Sequence, residues 1–428
     1  MLESNESTHT NLSRLTRARR SMPVNLSKYE PIDNRQALVI EIGSQFTKIG
    51  CAGEHLPQAV IRSEVRSDFG EVSPVFDRSK TSTEQYHAII YFFKQIFFRH
   101  LLITPKDRRF VIVESVLTPT AKRNLIAKAL FEVFEASSVL FAPSHLLATF
   151  PFGAKNALVI DVGYNETVVL PVLEGVTVLN HYEVSSVGAR SLEKRALNLL
   201  LKYGKILSVD NCYRDLTDED AAILLKGRTI EDIVVRCCFV TTLERARKLV
   251  SKEATGTGVV SCGADCIDDV VEVRLPFGNE ILIVPGCVRE LTAEILFEYN
   301  PDDKSLPQLI LDCVYRCPID SRKVLLESLI LTGGPARIPG FYARLKDELK
   351  DMVKSPKYYY ADKLGHIDSV KFYLYPNTPI EMIANWIGGS MFGSLEVLQY
   401  RSTSRSDWLS HKVISDWTDI ITKGGLNR

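Results

Sequence analysis

Short apolar runs bounded by glycine or an acid alternate along this chain with longer stretches whose apolar residues recur every three or four positions. The first pattern predicts strands and the second amphipathic helices. Two of the runs are near copies: Ala37-Leu38-Val39-Ile40-Glu41-Ile42-Gly43 and Ala157-Leu158-Val159-Ile160-Asp161-Val162-Gly163. Each is followed by a second run, Phe46 to Cys51 and Thr167 to Leu173. An apolar run, an acid-x-Gly turn and another apolar run predict a β-hairpin. Its repetition predicts a duplicated architecture: two similar lobes, each pointing a hairpin turn at a shared cleft. Turn N–H groups that face one point can hold an anion such as a phosphate.

The first hairpin extends to about Ile61, and residues 62–84 are polar and turn-rich. From Glu84, Tyr86, Ile89, Ile90, Phe93, Ile96, Phe97 and Leu101 fall on one helical face. Phe110 to Val116 predicts a buried strand, and Thr118-Pro119 the cap and first residue of a helix burying Leu125, Leu130 and Phe134. Val139 to Phe141 predicts another strand. In the second lobe, Gly188 precedes a helix over about 189–203, and Thr217-x-x-Asp220 predicts a capping box for a helix stopped by Gly227. Further helices are expected over 229–250, 287–299, 307–316 and 341–353, with 251–280 irregular and strand-rich. Leu329 to Thr332 reads as a strand entering Gly333-Gly334, and Trp386 starts the last helix.

The chain has 428 residues, 45% hydrophobic and 24% charged, which is enough for two large lobes. Lys+Arg and Asp+Glu both number 52, so bulk charge calls for neither nucleic acid nor an anionic membrane. No run approaches the roughly 18 apolar residues of a membrane span. The nine cysteines include no CxxC, and they read as reduced thiols rather than a zinc site. Arg14, Arg17, Arg19 and Arg20 read as part of a solvated tail. The Lys354–Lys363 run with Tyr358, Tyr359 and Tyr360 reads as a loop or edge strand rather than a nucleic-acid surface.

Four strings in order resemble the actin family: Glu41 to Gly53 the first phosphate loop, Asp161-Val-Gly163 the second, Leu331-Thr-Gly-Gly334 with Pro339-Gly340 the adenosine-side loop, and Trp386-Ile-Gly-Gly-Ser390 the C-terminal signature. The similarity covers about residues 36–400. The wording of Phe98 to Arg109, Val113 to Leu117, Val139 to His145 and Cys317 to Lys323 is similar to the actin-related branch at the pointed end of dynactin. The resemblance implies an α/β, actin-like ATPase fold, with two similar lobes around a central nucleotide cleft and a shortened subdomain 2. It divides the chain into a disordered tail over 1–35, a first lobe over 36–150 (subdomains 1 and reduced 2) and a second over 151–375 (subdomains 3 and 4). A return to the first lobe over 376–400 and a polar tail over 401–428 complete it.

The resemblance also implies ATP or ADP between the hairpins, with Mg2+ as a companion. Glu41, Gly43, Ser44, Lys48, Asp161, Gly163, Gly333 and Gly334 are the binding residues it transfers. Departures accompany these matches. Glu41 stands for the family's Asp, Tyr164 for its second acid, and Val234 and Val235 for a lysine-glutamate pair that contacts the adenosine. Ser144 and Val168 stand for the glutamine and histidine that position the attacking water, and the His145 side chain is expected to point away from Ser144 and to serve packing or surface. The expectation is a non-enzymatic, cytoplasmic, cytoskeletal subunit whose nucleotide is structural. Such a subunit caps a filament of dynactin's actin-related protein, holds the pointed-end subunits and serves dynein on microtubules. Residues 62–84 lack the family's long loop, whereas the receiving cleft keeps Phe150, Pro151 and Gly153, so the chain would accept a neighbour and offer nothing to the next. A nuclear actin-related protein of a chromatin-remodelling complex and an actin-fold ATPase are the alternatives.

Overall fold

The structure, a computed structural model, describes residues 36–66, 70, 72–77, 79–253, 270–299, 303–374, 380–414 and 417. The tail read over 1–35 and its arginine cluster lie outside the described residues, as do Cys262 and Cys266.

The short apolar runs form the first three strands, β1 (Leu38–Ile42), β2 (Phe46–Cys51) and β3 (Ala59–Arg62), which pair as an antiparallel meander. β4 (Glu64–Arg66) and β5 (Val72–Pro74) pair with each other in a separate two-stranded sheet. α1 (Ser82–Gln95) starts from a complete capping box at Thr81 and Glu84 and buries Ile89, Phe92 and Phe93. β6 (Arg109–Glu114) then joins β1 in parallel. α2 (Thr120–Lys128) leads to β7 (Ser138–Pro143), which joins β6 in parallel. Thr118 is not the cap of α2. Pro119 occupies that position in extended conformation, while the Thr118 amide closes a turn on Ser115.

α3 (Ser144–Leu147) and a 3-10 turn at Phe150–Phe152 carry the chain into the second lobe. β8 (Ala157–Val162) and β9 (Thr167–Leu173) form its hairpin, extended by β10 (Val176–Thr177) and β11 (Glu183–Ser185). α4 (Ala189–Tyr203) follows Gly188. β12 (Lys205–Leu207) and β13 (Tyr213–Asp215) precede α5 (Asp218–Lys226), which carries the capping box at Thr217 and Asp220 and ends at Gly227.

The helix expected over 229–250 is two helices, α6 (Thr229–Arg236) and α7 (Leu243–Glu253). The break has a tertiary cause: Val240 is buried and its amide donates to the Pro339 carbonyl at 2.8 Å, which holds that stretch extended. β14 (Val273–Phe277) and β15 (Glu280–Val284) join β12 and β13 in a four-stranded sheet. The helix expected over 287–299 is α8 (Gly286–Leu291) with a 3-10 turn at Ala293–Leu296. α9 (Leu306–Arg316) and α10 (Ile319–Leu326) lead to β16 (Leu329–Thr332), which pairs in parallel with β8. Between α11 (Phe341–Lys354) and α12 (Ala361–Leu364), the Tyr359 and Tyr360 hydroxyls both reach Asp312 on α9. The Lys/Tyr run is therefore an anchored turn, not an edge strand.

α13 (Ala384–Gly393) returns to the first lobe, where the Trp386 indole donates to the Val39 carbonyl at 3.2 Å. It is not the last helix, and residues 401–428 are not wholly a polar tail. α14 (Leu398–Arg401), β17 (Thr403–Ser404) and α15 (Arg405–His411) follow it. β17 pairs with β7, and Trp408 is buried with its ring stacked 5.7 Å from Phe131. One large aromatic supplies the apolar area that the segment's composition conceals.

Each lobe has its own core. The first centres on Leu38, Ile40, Phe93, Phe97 and Phe110, the second on Leu158, Ile160, Leu200, Leu309 and Phe341. A smaller cluster of Leu146, Ala148, Ala157, Val159, Ile330 and Ala384 joins α3, the second-lobe sheet and α13.

Candidate functional site

The two hairpins repeat each other in geometry as well as letters. Gly43 N–H donates to the Phe46 carbonyl at 3.0 Å, and Gly163 N–H to the Glu166 carbonyl at 2.9 Å. Glu41 lies opposite Lys48 in the first ladder, and Asp161 lies opposite Val168 in the second. Lys48 and Val168 thus hold equivalent places. In the first hairpin the cross-strand pair closes as an ion pair, Lys48 Nζ to Glu41 Oε1 at 2.7 Å.

Of the eight transferred residues, the structure brings the charged ones together. Asp161 is near enough that its carboxylate helps raise the pKa of Glu41. Burial is the larger cause of that rise, and Lys48 and the Asn385 side chain oppose it. Ser44 is exposed in the first hairpin turn. The amides of Gly43 and Gly163 are engaged within their own turns. Gly333 has a φ of 97°, and a Cβ there would stand 2.0 Å from the Val162 carbonyl oxygen, so only glycine fits beside the second hairpin. Its amide donates to Glu381 at 3.0 Å. Gly334 opens the 3-10 turn at Pro335–Arg337.

Four buried polar atoms near these turns have no hydrogen-bond partner among the described residues: Glu41 Oε2, His145 Nε2, Thr332 Oγ1 and Asn385 Oδ1. Thr332 is the ladder partner of Asp161. Buried polar atoms are normally paired, so orphans at one place call for solvent or a ligand. Carboxylate, amide and hydroxyl oxygens suit a hydrated Mg2+ beside phosphate. On this test the residues present fit a nucleotide with its metal, although Lys48 is already committed to Glu41.

His145 lies in the core, one of its two expected settings, but its side chain does not point away from Ser144. It is 1% exposed, and its Nδ1 lies 3.2 Å from Ser144 Oγ, so the two side chains touch. Burial lowers its pKa, against the Asp161 carboxylate and the Val168 backbone, which leaves a neutral imidazole at pH 7. Val234 is buried and Val235 exposed, and neither offers a polar group.

Around the turns, polar side chains link the lobes. Arg62 Nη2 meets Glu231 Oε2 at 2.7 Å, and Arg228 meets Glu64. Glu193 accepts a hydrogen bond from Tyr164 at 3.0 Å and is also held by Gln45, at the tip of the first hairpin. Burial and the Glu193 charge push the Tyr164 hydroxyl up to about 12. Tyr164 therefore stays protonated and donates, where the family's acid would carry a negative charge. Sequence reading missed this set, because Glu64, Glu193, Arg228 and Glu231 carry no motif.

The family model described as Actin matches residues 80–414. Actin-related protein 10 of Dictyostelium discoideum is 26% identical, over 85% of this chain and 83% of its own length. Actin-like protein 7A of Rattus norvegicus is 23% identical over 90% and 83%. Actin-related protein 4 of Oryza sativa subsp. indica is 23% identical over 89% and 97%. With two lobes, repeated hairpins and a match over most of its length, this chain has the two-lobed actin fold and belongs to the actin family.

Proposed function

We propose that this chain is a structural, filament-terminating subunit of the dynactin type, working in the cytoplasm as part of the cytoskeleton. Its neighbours are the actin-related filament subunit on one face and pointed-end subunits on another, and its indirect clients are dynein and microtubules. The observation that carries the reading is the small insert between β3 and α1. There β4 and β5 are three residues each and, among the described residues, pair with one another, a short stretch to reach a further subunit. A heterologous contact that one face cannot continue ends a filament. The segment over 204–280, outside the shared hairpins, exposes Val209, Tyr213, Ile223 and Leu225, and this reading offers that segment to the pointed-end subunits.

The test is affinity purification of the full chain from cells. Recovery of the dynactin filament subunit and pointed-end subunits, lost on altering residues 149–153, is the expected result. Recovery of chromatin remodellers instead would replace this reading with a nuclear one.

The same reading holds ATP or ADP as a structural ligand with little or no turnover. Glu41, Asp161 and Asn385 would face the metal, the turn around Ser44 and Gly163 the phosphates, and Gly333 and Gly334 the nucleoside side. When bound, the nucleotide supplies negative charge between the two hairpins. Val168 cannot orient a water, and Ser144 Oγ is engaged by His145. One observation favours a second reading, slow hydrolysis: the unpartnered Nε2 of a neutral His145 beside Asp161. Phosphate release measured on the wild type and His145→Ala separates the two. A structural ligand predicts equally low rates, and slow hydrolysis predicts a rate that falls at least tenfold in the variant.

A further inference from the structure

Near its C-terminus the chain lays a tryptophan onto the seam between the lobes. Trp417 meets Phe392 edge to face, with ring centroids 5.6 Å apart. It is partly buried against two apolar clusters at once. One contains Val39, Leu147 and Trp386 under the first-lobe sheet, the other Leu146, Ile330 and Ala384 between the lobes. Phe150 and Ile387 also touch both clusters, and the Phe150 ring lies 6.2 Å from that of Phe392. The indole therefore sits in a groove between Ile387 and Phe392 of α13 and Phe150 of the 3-10 turn, against apolar side chains of both clusters.

We propose that Trp417 is a built-in occupant of this groove, and that an apolar segment of a neighbouring subunit docks there only as the tryptophan leaves. The indole shows what the groove accommodates: a large apolar or aromatic side chain. Such a contact is governed by apolar area, so the cis and trans occupants compete directly. An occupant tethered to the same chain is present at high effective concentration. It suppresses binding of isolated partners and yields to partners held in place by additional contacts. Only the identity of the competing chain rests on the capping reading above; occupancy of the groove in cis does not.

The experiment compares the full-length chain with Trp417→Ala and Trp417→Phe in three measurements. First, binding of the apolar dye anilinonaphthalene sulfonate is followed by fluorescence. Trp417→Ala raises dye emission several-fold, Trp417→Phe raises it less, and adding Phe150→Ser to Trp417→Ala removes the gain. Second, affinity for the purified dynactin filament subunit rises by about tenfold in Trp417→Ala. Third, thermal unfolding of Trp417→Ala stays close to the wild type, because both lobe cores are intact. Unchanged dye emission, or a large loss of thermal stability, overturns the proposal by making Trp417 either absent from the groove or part of the permanent core. If the filament subunit binds neither form while the dye responds as expected, the plug stands and the capping reading fails. If it binds both equally, the proposed competition is overturned.

Discussion

Single residues decide how the first hairpin tolerates its charge. Glu41 is a carboxylate with 12% side-chain exposure whose neutralising partner is Lys48 across the ladder. Replacing Lys48 by Met leaves that carboxylate unpaired, and loss of one partner of a buried pair costs roughly 3 to 5 kcal/mol. The sign of its pH dependence follows from the raised Glu41 pKa. A carboxyl whose folded pKa lies above its ordinary 4.5 favours folding below that value and disfavours it as pH rises through the folded pKa. Lys48→Met is therefore expected to be most destabilising near pH 7 and to recover as pH falls toward 4.5. Urea titrations of both proteins at several pH values check this. Glu41 and Asp161 were legible in the sequence because each sits in a repeated string. The core setting of His145 agrees with its sequence reading, but its direction does not, because adjacency to Ser144 says nothing about rotamers, and only tertiary packing brings its ring back onto the serine hydroxyl.

At the scale of elements, periodicity located the hairpins, α1, α4, α9 and α11, and the capping box located the start of α5. It failed where a distant contact overrides local preference, as at Val240 between α6 and α7. It also failed where the pattern is faint: α10 buries only Leu325 and Leu326, and no apolar stripe announces it. The glycine pair in α13 was visible as a motif without a reason. Packing supplies the reason, since a Cβ on Gly388 would stand 1.9 Å from the Leu147 carbonyl oxygen of α3. Backbone cannot yield as a side-chain tip can. Gly388→Ala is expected to destabilise the chain by about 2 to 4 kcal/mol, at or above the usual range for overpacking. Chemical unfolding measures it, and a change under 0.5 kcal/mol would mean that α3 and α13 separate more easily than the structure implies.

Across the molecule, two sets of side-chain contacts among the described residues join the lobes. One junction is apolar, through Leu146, Ala157, Ile330 and Ala384. The other is polar, through Arg62–Glu231, Arg228–Glu64 and the Gln45–Glu193–Tyr164 group. The duplicated strings foretold the lobes, but charges without a motif on separate elements gave no hint of the second junction. Partly exposed pairs are individually weak. A double-mutant cycle on Arg62→Ala and Glu231→Ala is expected to give a coupling of about 0.5 to 1 kcal/mol that shrinks in high salt. Hydrogen exchange at the hairpin turns should quicken in the double variant, and equal protection with wild type would show that the ion pair does not restrain the lobes.

A body fastened at one seam swings about it, whereas a body fastened at two separate places has no single axle. For this chain the second fastening turns a pair of levers into a strut. A pull on one lobe is carried to the other through both junctions in parallel.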